Sequence, residues 1–173
     1  MSSHAFRQAV PDDLPLIAQI INTAYAPAES FLYDGPRIEM RELQQHFSRG
    51  LFLLEVDAGT PRGCVFVELN SGAGYLGLLA VQPRHQRRGI AQALVGQAEL
   101  LCAARGCASI ELTVVNHRPQ LLSFYASLGY TVVGERAFDE AKLRMRSYFF
   151  LLRKTLPPYR TAAQDASPPE PAP

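Results

Sequence analysis

Residues 75–94 read YLGLLAVQPRHQRRGIAQAL, and this stretch decides the fold. An apolar run ends at Val81, and Pro83 forbids its continuation as a regular strand. The basic turn Arg84-His85-Gln86-Arg87-Arg88 leads to Gly89, and a helical pattern begins at once. This spacing predicts a strand, a tight turn and a helix. The first backbone N–H groups of such a helix have no intrahelical partner, so with the helix dipole they attract an anion. Gly89 lets the main chain approach a ligand closely, and Ala91 keeps the next turn small. The phosphate pattern GxxxxGK[ST] and the dinucleotide fingerprint GxGxxG are both missing, so another arrangement must hold the anion.

Working outward, residues 4–10 form a short first strand. Pro11-Asp12-Asp13 opens a helix over 12–25, where Leu14, Ile17, Ile20, Ile21 and Ala24 recur at helical spacing. Residues 26–36 read as a loop, and 38–47 as a second, polar helix stopped near Gly50. The period then changes. Residues 51–56 and 63–69 are strand-like, with the turn signal Asp57-Ala58-Gly59-Thr60-Pro61 between them. The continuous apolar run 75–81 suits a strand covered on both faces. Ile90, Leu94, Ala98 and Leu101 mark a long helix ended by Gly106, and a strand follows over 109–115. Residues 119–128 form a helix with Pro119 at its start and Gly129 just past its end. Strands over 130–135 and 147–154 complete the order βααβββαβαββ. The expected fold class is α/β: one domain over residues 1–156, with a mixed twisted sheet of about seven strands and helices on both faces. Residues 157–173, PPYRTAAQDASPPEPAP, bury too little apolar surface to offset chain entropy, and a disordered proline-rich tail is expected there.

Composition narrows the function. Hydrophobic residues make up 47% and charged residues 19% of the 173, with a net charge of +1. No global field therefore points to nucleic acid or to a membrane surface. Arg84 to Arg88 also lack an aromatic stacking platform nearby. The first 13 residues lack the apolar stretch of a signal peptide, and the apolar runs are only strand-length. Cys64, Cys102 and Cys107 are odd in number and lack metal-ligand spacing, which predicts reduced thiols in a cytoplasmic protein. His4, His46, His85 and His117 are scattered, so no metal site is expected.

The segment QRRGIA, Gln86 to Ala91, resembles the Q/R-x-x-G-x-G/A signature of the GNAT superfamily of N-acetyltransferases. LLAVQP, Leu78 to Pro83, is similar to that family's fourth strand. LLSFYASLGY, Leu121 to Tyr130, resembles its next helix, with a tyrosine and a terminal Gly-aromatic pair in place. The resemblance extends in element order over residues 5–155 and is specific over 75–130. It implies acetyl-CoA as co-substrate, lying where strands four and five splay apart. Backbone amides of Gln86, Arg87, Arg88, Gly89, Ile90 and Ala91 would hold its pyrophosphate, and a nest of N–H groups suits that anion. Main-chain groups of Leu79, Ala80 and Val81 would follow its pantetheine arm. An arginine of the turn suits the 3′-phosphate, although a solvated basic loop reads the same way.

The implied reaction is direct attack of an amine on the thioester in a ternary complex. The amine must be neutral, yet an alkyl ammonium has a pKa near about 10.4, so a base or a water relay helps. A backbone N–H of the bulged fourth strand, at Val81 or Leu79, would stabilise the oxyanion. Tyr125 matches the family tyrosine near the coenzyme sulfur and is the candidate general acid; core packing beside Leu121 and Leu128 is its rival role. Glu111, an acidic residue in an apolar strand, is the candidate base. It stands five residues before Asn116, as in relatives that act on peptide N-termini, but Asn116 lies two residues further from Tyr125 than in them. An outward-facing charge is the alternative reading of Glu111.

The acceptor is left open. In the resembling family it is shaped by the loop after the first helix and the segment between the last two strands, here about residues 25–40 and 135–147. The first contains Tyr25, Glu29, Phe31, Tyr33 and Asp34, a mix compatible with a cationic amine, although ordinary polar loop composition is the preferred reading. A small amine, an antibiotic, a peptide N-terminus and a lysine side chain all fit, and so would a homodimeric assembly. A sensor that binds acyl-CoA without turning it over is the alternative function.

Overall fold

In a computed structural model that describes residues 4–32, 34–138 and 144–159, the chain forms one seven-stranded sheet flanked by four α-helices. The elements are β1 (Ala5–Gln8), α1 (Leu14–Glu29), α2 (Met40–Arg49), β2 (Leu51–Asp57), β3 (Thr60–Asn70), β4 (Ala73–Val81), α3 (Ile90–Ala104), β5 (Ser109–Val115), α4 (Pro119–Ser127), β6 (Thr131–Phe138) and β7 (Ser147–Thr155). The sheet runs β1-β2-β3-β4-β5-β7-β6, and every neighbouring pair is antiparallel except β4 with β5. Element order and class agree with the sequence reading. The tail beyond Tyr159 and residue Tyr33 lie outside the described residues.

Strand alternation distributes the core to two faces. Cys64 and Phe66 of β3 join Phe52, Leu54, Leu78 and Ala80 beneath α1 and α2. Val65 and Val67 point the other way, with Leu76, Val81, Ile110, Leu112 and Val114, against α3 and α4. The long apolar runs of β3 and β4 follow from this double coverage. Among the described residues no helix is long and apolar enough to cross a membrane.

Two departures from the sequence reading matter. A loop was expected from residue 26, yet α1 continues through Pro27 to Glu29. Proline disfavours an interior helical position because it lacks an N–H and crowds the preceding turn. Here Glu29 is held in a buried position by Arg37 and Arg118, and these contacts accompany the extra turn. The second departure is the β2–β3 connection. It is a two-residue hairpin, Ala58-Gly59, rather than a five-residue turn, because Asp57 already pairs with Thr60. Both turn residues have positive φ, 46° and 81°, as a type I′ turn requires.

An alanine at positive φ is strained by about 1–2 kcal/mol. Asparagine tolerates that region better, so Ala58→Asn is expected to stabilise the domain by about 0.5–1 kcal/mol. In a thermal melt the Tm should rise by about 1–4 °C; an unchanged or lower Tm would contradict this account of the turn.

Candidate functional site

The site begins where the parallel pair ends. β4 and β5 are paired over only three residue pairs, Ala73↔Ser109, Gly74↔Ile110 and Tyr75↔Glu111. Past Tyr75 and Glu111 the two strands separate. On its other side β4 carries a bulge. Gly77 faces Phe66 and Ala80 faces Cys64, so Leu78 and Leu79 together oppose Val65. An extra residue of this kind breaks the ladder and leaves backbone groups unpaired. Leu78 takes up the distortion at φ 48°, a strained value for a residue with a Cβ. Val81 returns to register with Gly63.

Two cavities open into the parting. The first, of about 390 Å³, runs along the starts of α3 and α4 and is lined by residues including Leu79, Val81, Gln86, Arg87, Gly89 and Ala91. The second, of about 420 Å³, lies between β4, β5 and the β6–β7 ladder, below the end of α1 and the start of α2. They share four lining residues: Tyr25, Leu79, Leu121 and Tyr125.

The turn before α3 is fixed from behind. The Gln82 backbone N–H donates to the Arg62 carbonyl at 2.9 Å, and its Nε2 donates to the Pro61 carbonyl at 3.0 Å. Gln86 Nε2 donates to the Val81 carbonyl at 3.1 Å, which folds the turn back on the strand that precedes it. Arg87 and Gly89 both have positive φ, 59° and 78°, and Gly89 is the residue from which α3 starts. The helix start therefore lies at the wall of the first cavity. Arg118 reaches the same cavity from the start of α4, and its Nε is buried without a hydrogen-bond acceptor among the described residues.

Tyr125 is 6% exposed and packs edge-on against Phe124 at 5.0 Å and Tyr130 at 5.6 Å between ring centroids. Burial first, then neighbouring Tyr75, pushes its pKa above the usual value of 10.0, with Arg118 opposing, so it keeps its proton at neutral pH. Tyr25 is pushed up for the same leading reason and lies under the Arg37 guanidinium, 5.4 Å from ring centroid to Cζ. Behind it Glu29, 4% exposed, accepts from Arg118 Nη1 at 3.1 Å and lies 3.6 Å from Arg37 Nε.

The sequence-derived candidates divide. Leu79, Val81, Gln86, Arg87, Gly89, Ile90, Ala91 and Tyr125 all line the first cavity. The Ala80 side chain is buried beneath α1 and α2, and Arg88 is exposed outside the lining. Asn116 is elsewhere: its Oδ1 accepts the Tyr148 backbone N–H at 3.1 Å, and it extends the β5–β7 ladder. Glu111 is not brought to either cavity. It sits directly opposite Arg153 on β7 and accepts from its Nη2 at 2.6 Å as a half-exposed cross-strand ion pair. The outward-facing reading of that residue is the one its position fits, because the cleft opens beyond it. Sequence reasoning passed over Arg118, Glu42 and Thr113, named His46 only in excluding a metal site, and covered Arg136 only within the acceptor-shaping segment 135–147. Of these only Arg118 carried a local signal, as the residue before Pro119 at a helix start.

Among the described residues no group of three or more His, Cys, Asp or Glu side chains could hold a metal ion. Cys64, Cys102 and Cys107 are buried free thiols, and none lines either cavity. Burial raises the thiol pKa of both Cys64 and Cys102 to about 12, so neither supplies a ready thiolate nucleophile.

Known structures share the whole architecture. A ribosomal-protein-S18-alanine N-acetyltransferase from Escherichia coli superposes with a TM-score of 0.73 at 18% identity, covering 92% of this chain and 97% of that one. A phosphinothricin acetyltransferase from Sinorhizobium meliloti, solved in complex with acetyl-CoA, gives 0.71 at 17% identity over 90% of this chain and 89% of its own. A ribosomal-protein-alanine N-acetyltransferase from Brucella melitensis gives 0.72 at 15% identity over 88% and 99%. At such identities the likeness is one of fold. Sequence goes further, because the acetyltransferase (GNAT) family model matches residues 17–130, which include the turn before α3, the parting of the strands and Tyr125. This chain belongs to the acetyltransferase (GNAT) family.

Proposed function

We propose that the chain transfers an acetyl group from acetyl-CoA to an amine by direct attack within a ternary complex, with Tyr125 as the general acid. The observation that carries this reading is the meeting of two cavities at Tyr25, Leu79, Leu121 and Tyr125, in the gap between β4 and β5. One cavity has an anion-binding helix start in its wall, and the other contains no part of that turn. A donor and an acceptor can thus enter from separate sides and touch at Tyr125. A covalent acyl-enzyme finds no support, since the three thiols are buried away from both cavities.

The residues present fit the donor. The start of α3 at Gly89 offers unpaired amides, Arg87 adds charge, and the orphaned Arg118 Nε offers a further donor to a phosphate or carbonyl oxygen. When bound, acetyl-CoA supplies an acetyl group already activated as a thioester. Leu79 and Val81 line the path into the sheet. In our reading the bulge frees the amide of Leu79, rather than that of Val81, to hydrogen-bond the developing oxyanion. As the new N–C bond forms and the C–S bond breaks, Tyr125 gives its proton to sulfur, the amine loses a proton to water, and water restores the tyrosine. Burial keeps Tyr125 protonated and so available for this step. Its position at the junction favours turnover over a role as a silent acyl-CoA sensor. Three reduced, buried cysteines suit a cytoplasmic setting.

Two measurements test the reading. Tyr125→Phe should lower kcat by about 10–10³-fold, with little change in KM for acetyl-CoA, in a thiol-release assay with an amine panel. Full activity of this variant would remove the general acid. Gly89→Val places a β-branched residue at a φ of 78°, so titration calorimetry should show acetyl-CoA affinity reduced at least about tenfold while circular dichroism stays native. Equal affinity would show that the donor does not rest on this turn.

A further inference from the structure

The charges around the second cavity are unevenly satisfied. Its charged lining residues are Glu29, Glu42, Arg37 and Arg136, together with His46. Both carboxylates are engaged within the protein. Glu29 is held between Arg118 and Arg37. Glu42 Oε2 accepts the Glu39 backbone N–H at 2.9 Å and caps the start of α2. Asp34, the other acidic residue expected to attract a cationic acceptor, is paired with Arg144 at 2.6 Å. Glu29, Asp34 and Glu42 are therefore engaged within the protein, and the geometry does not favour their selecting a cationic amine.

Arg136 stands apart. It lies on β6 directly opposite Phe149 of β7, and its Cζ is 5.7 Å from the Phe149 ring centroid. Among the described residues no carboxylate lies within ion-pair distance of it. A guanidinium over an aromatic face is attracted to the ring and keeps its N–H donors for a ligand. The lining holds two guanidiniums, Arg37 and Arg136, and two carboxylates, and both carboxylates are already held within the protein, Glu29 by Arg37 and Arg118 and Glu42 as the cap of α2. His46 adds little positive charge of its own, since burial and then Arg49 and Arg37 lower its pKa. A lining arginine that the described carboxylates do not claim discourages a simple alkyl ammonium beside it and welcomes an anion. The volume, about 420 Å³, suits a small molecule.

We infer that the acceptor is a small amino acid-like molecule with a carboxylate on the same skeleton as the attacking amine, and that Arg136 binds this carboxylate. The inference rests on the acetyltransferase reading above and names the substrate class of the same site. Arg136 would act as a specificity-determining residue, whose fork of N–H donors meets both carboxylate oxygens.

The test uses the full chain with acetyl-CoA and matched sets of acceptors: α-amino acids, their carboxamides and the corresponding alkyl amines, followed by thiol release and mass spectrometry. The expected result is a kcat/KM at least about tenfold higher for the carboxylate than for the carboxamide in one or more sets. In Arg136→Ala the carboxylate should lose about 10–100-fold and the carboxamide much less, so the ratio collapses; Arg136→Lys should restore part of it. Carboxamides or alkyl amines used equally well or better would overturn the substrate class while leaving the acetyltransferase reading intact. A ratio unchanged in Arg136→Ala would overturn the role of Arg136. No thiol release with any amine, while calorimetry still shows acetyl-CoA bound, would overturn the catalytic reading itself.

Discussion

The structure depends on a constraint in the middle of its sheet: β4 and β5 are paired for three residues and then part. Parallel strands gain hydrogen bonds only while they stay in register, so the parting leaves main-chain groups of both strands without a ladder. The bulge at Leu78 and Leu79 does the same on the β3 side of β4. Such unpaired groups are costly in a dry core and useful beside a ligand. Helices α3 and α4 cover one face of the gap with the Val65, Leu76, Ile110 and Leu112 layer, and the gap itself becomes two cavities that meet.

Charge is placed around that gap with the same economy. Glu29, Arg37 and Arg118 form a buried cluster that ties the end of α1 to the start of α4 across the chain, 89 residues apart for Glu29 and Arg118. Breaking a buried pair leaves an uncompensated charge, so this cluster holds the walls in place more than it binds a ligand. Farther along the sheet, Glu111 and Arg153 balance each other in the paired part of β5 and β7. Among the described residues these pairings leave the α3 helix start, with Arg87 and the Arg118 Nε beside it, in the first cavity, and Arg136 in the second, outside any ion pair with a carboxylate.

Much of this was legible in the chain. The run ending at Val81, the proline that breaks it, the glycine before α3 and the Pro119–Gly129 frame of α4 are local signals, and they place the first cavity almost residue by residue. The second cavity was largely hidden, because its walls come from distant segments. Residues from 26 read as a loop, yet the helix runs on through Pro27 to Glu29, where tertiary contacts to Arg37 and Arg118 hold it. Period-two alternation puts Glu111 on one face but does not say where on the strand the cleft begins, and the partner that claims it is 42 residues on. Likewise, Glu29 and Asp34 were compatible in sequence with a cationic acceptor, and only the fold shows that arginines claim both. Composition counts charges, whereas a site is defined by those the fold leaves over.

The central claim is that the gap between β4 and β5 is where donor and acceptor meet. A crystal structure of the chain bound to acetyl-CoA tests this most directly. The account predicts the diphosphate on the amides of residues 86–91, the pantetheine arm between β4 and β5, and the thioester sulfur within hydrogen-bond reach of the Tyr125 hydroxyl. A donor lodged elsewhere, or a gap closed by continued pairing of β4 with β5, would contradict it.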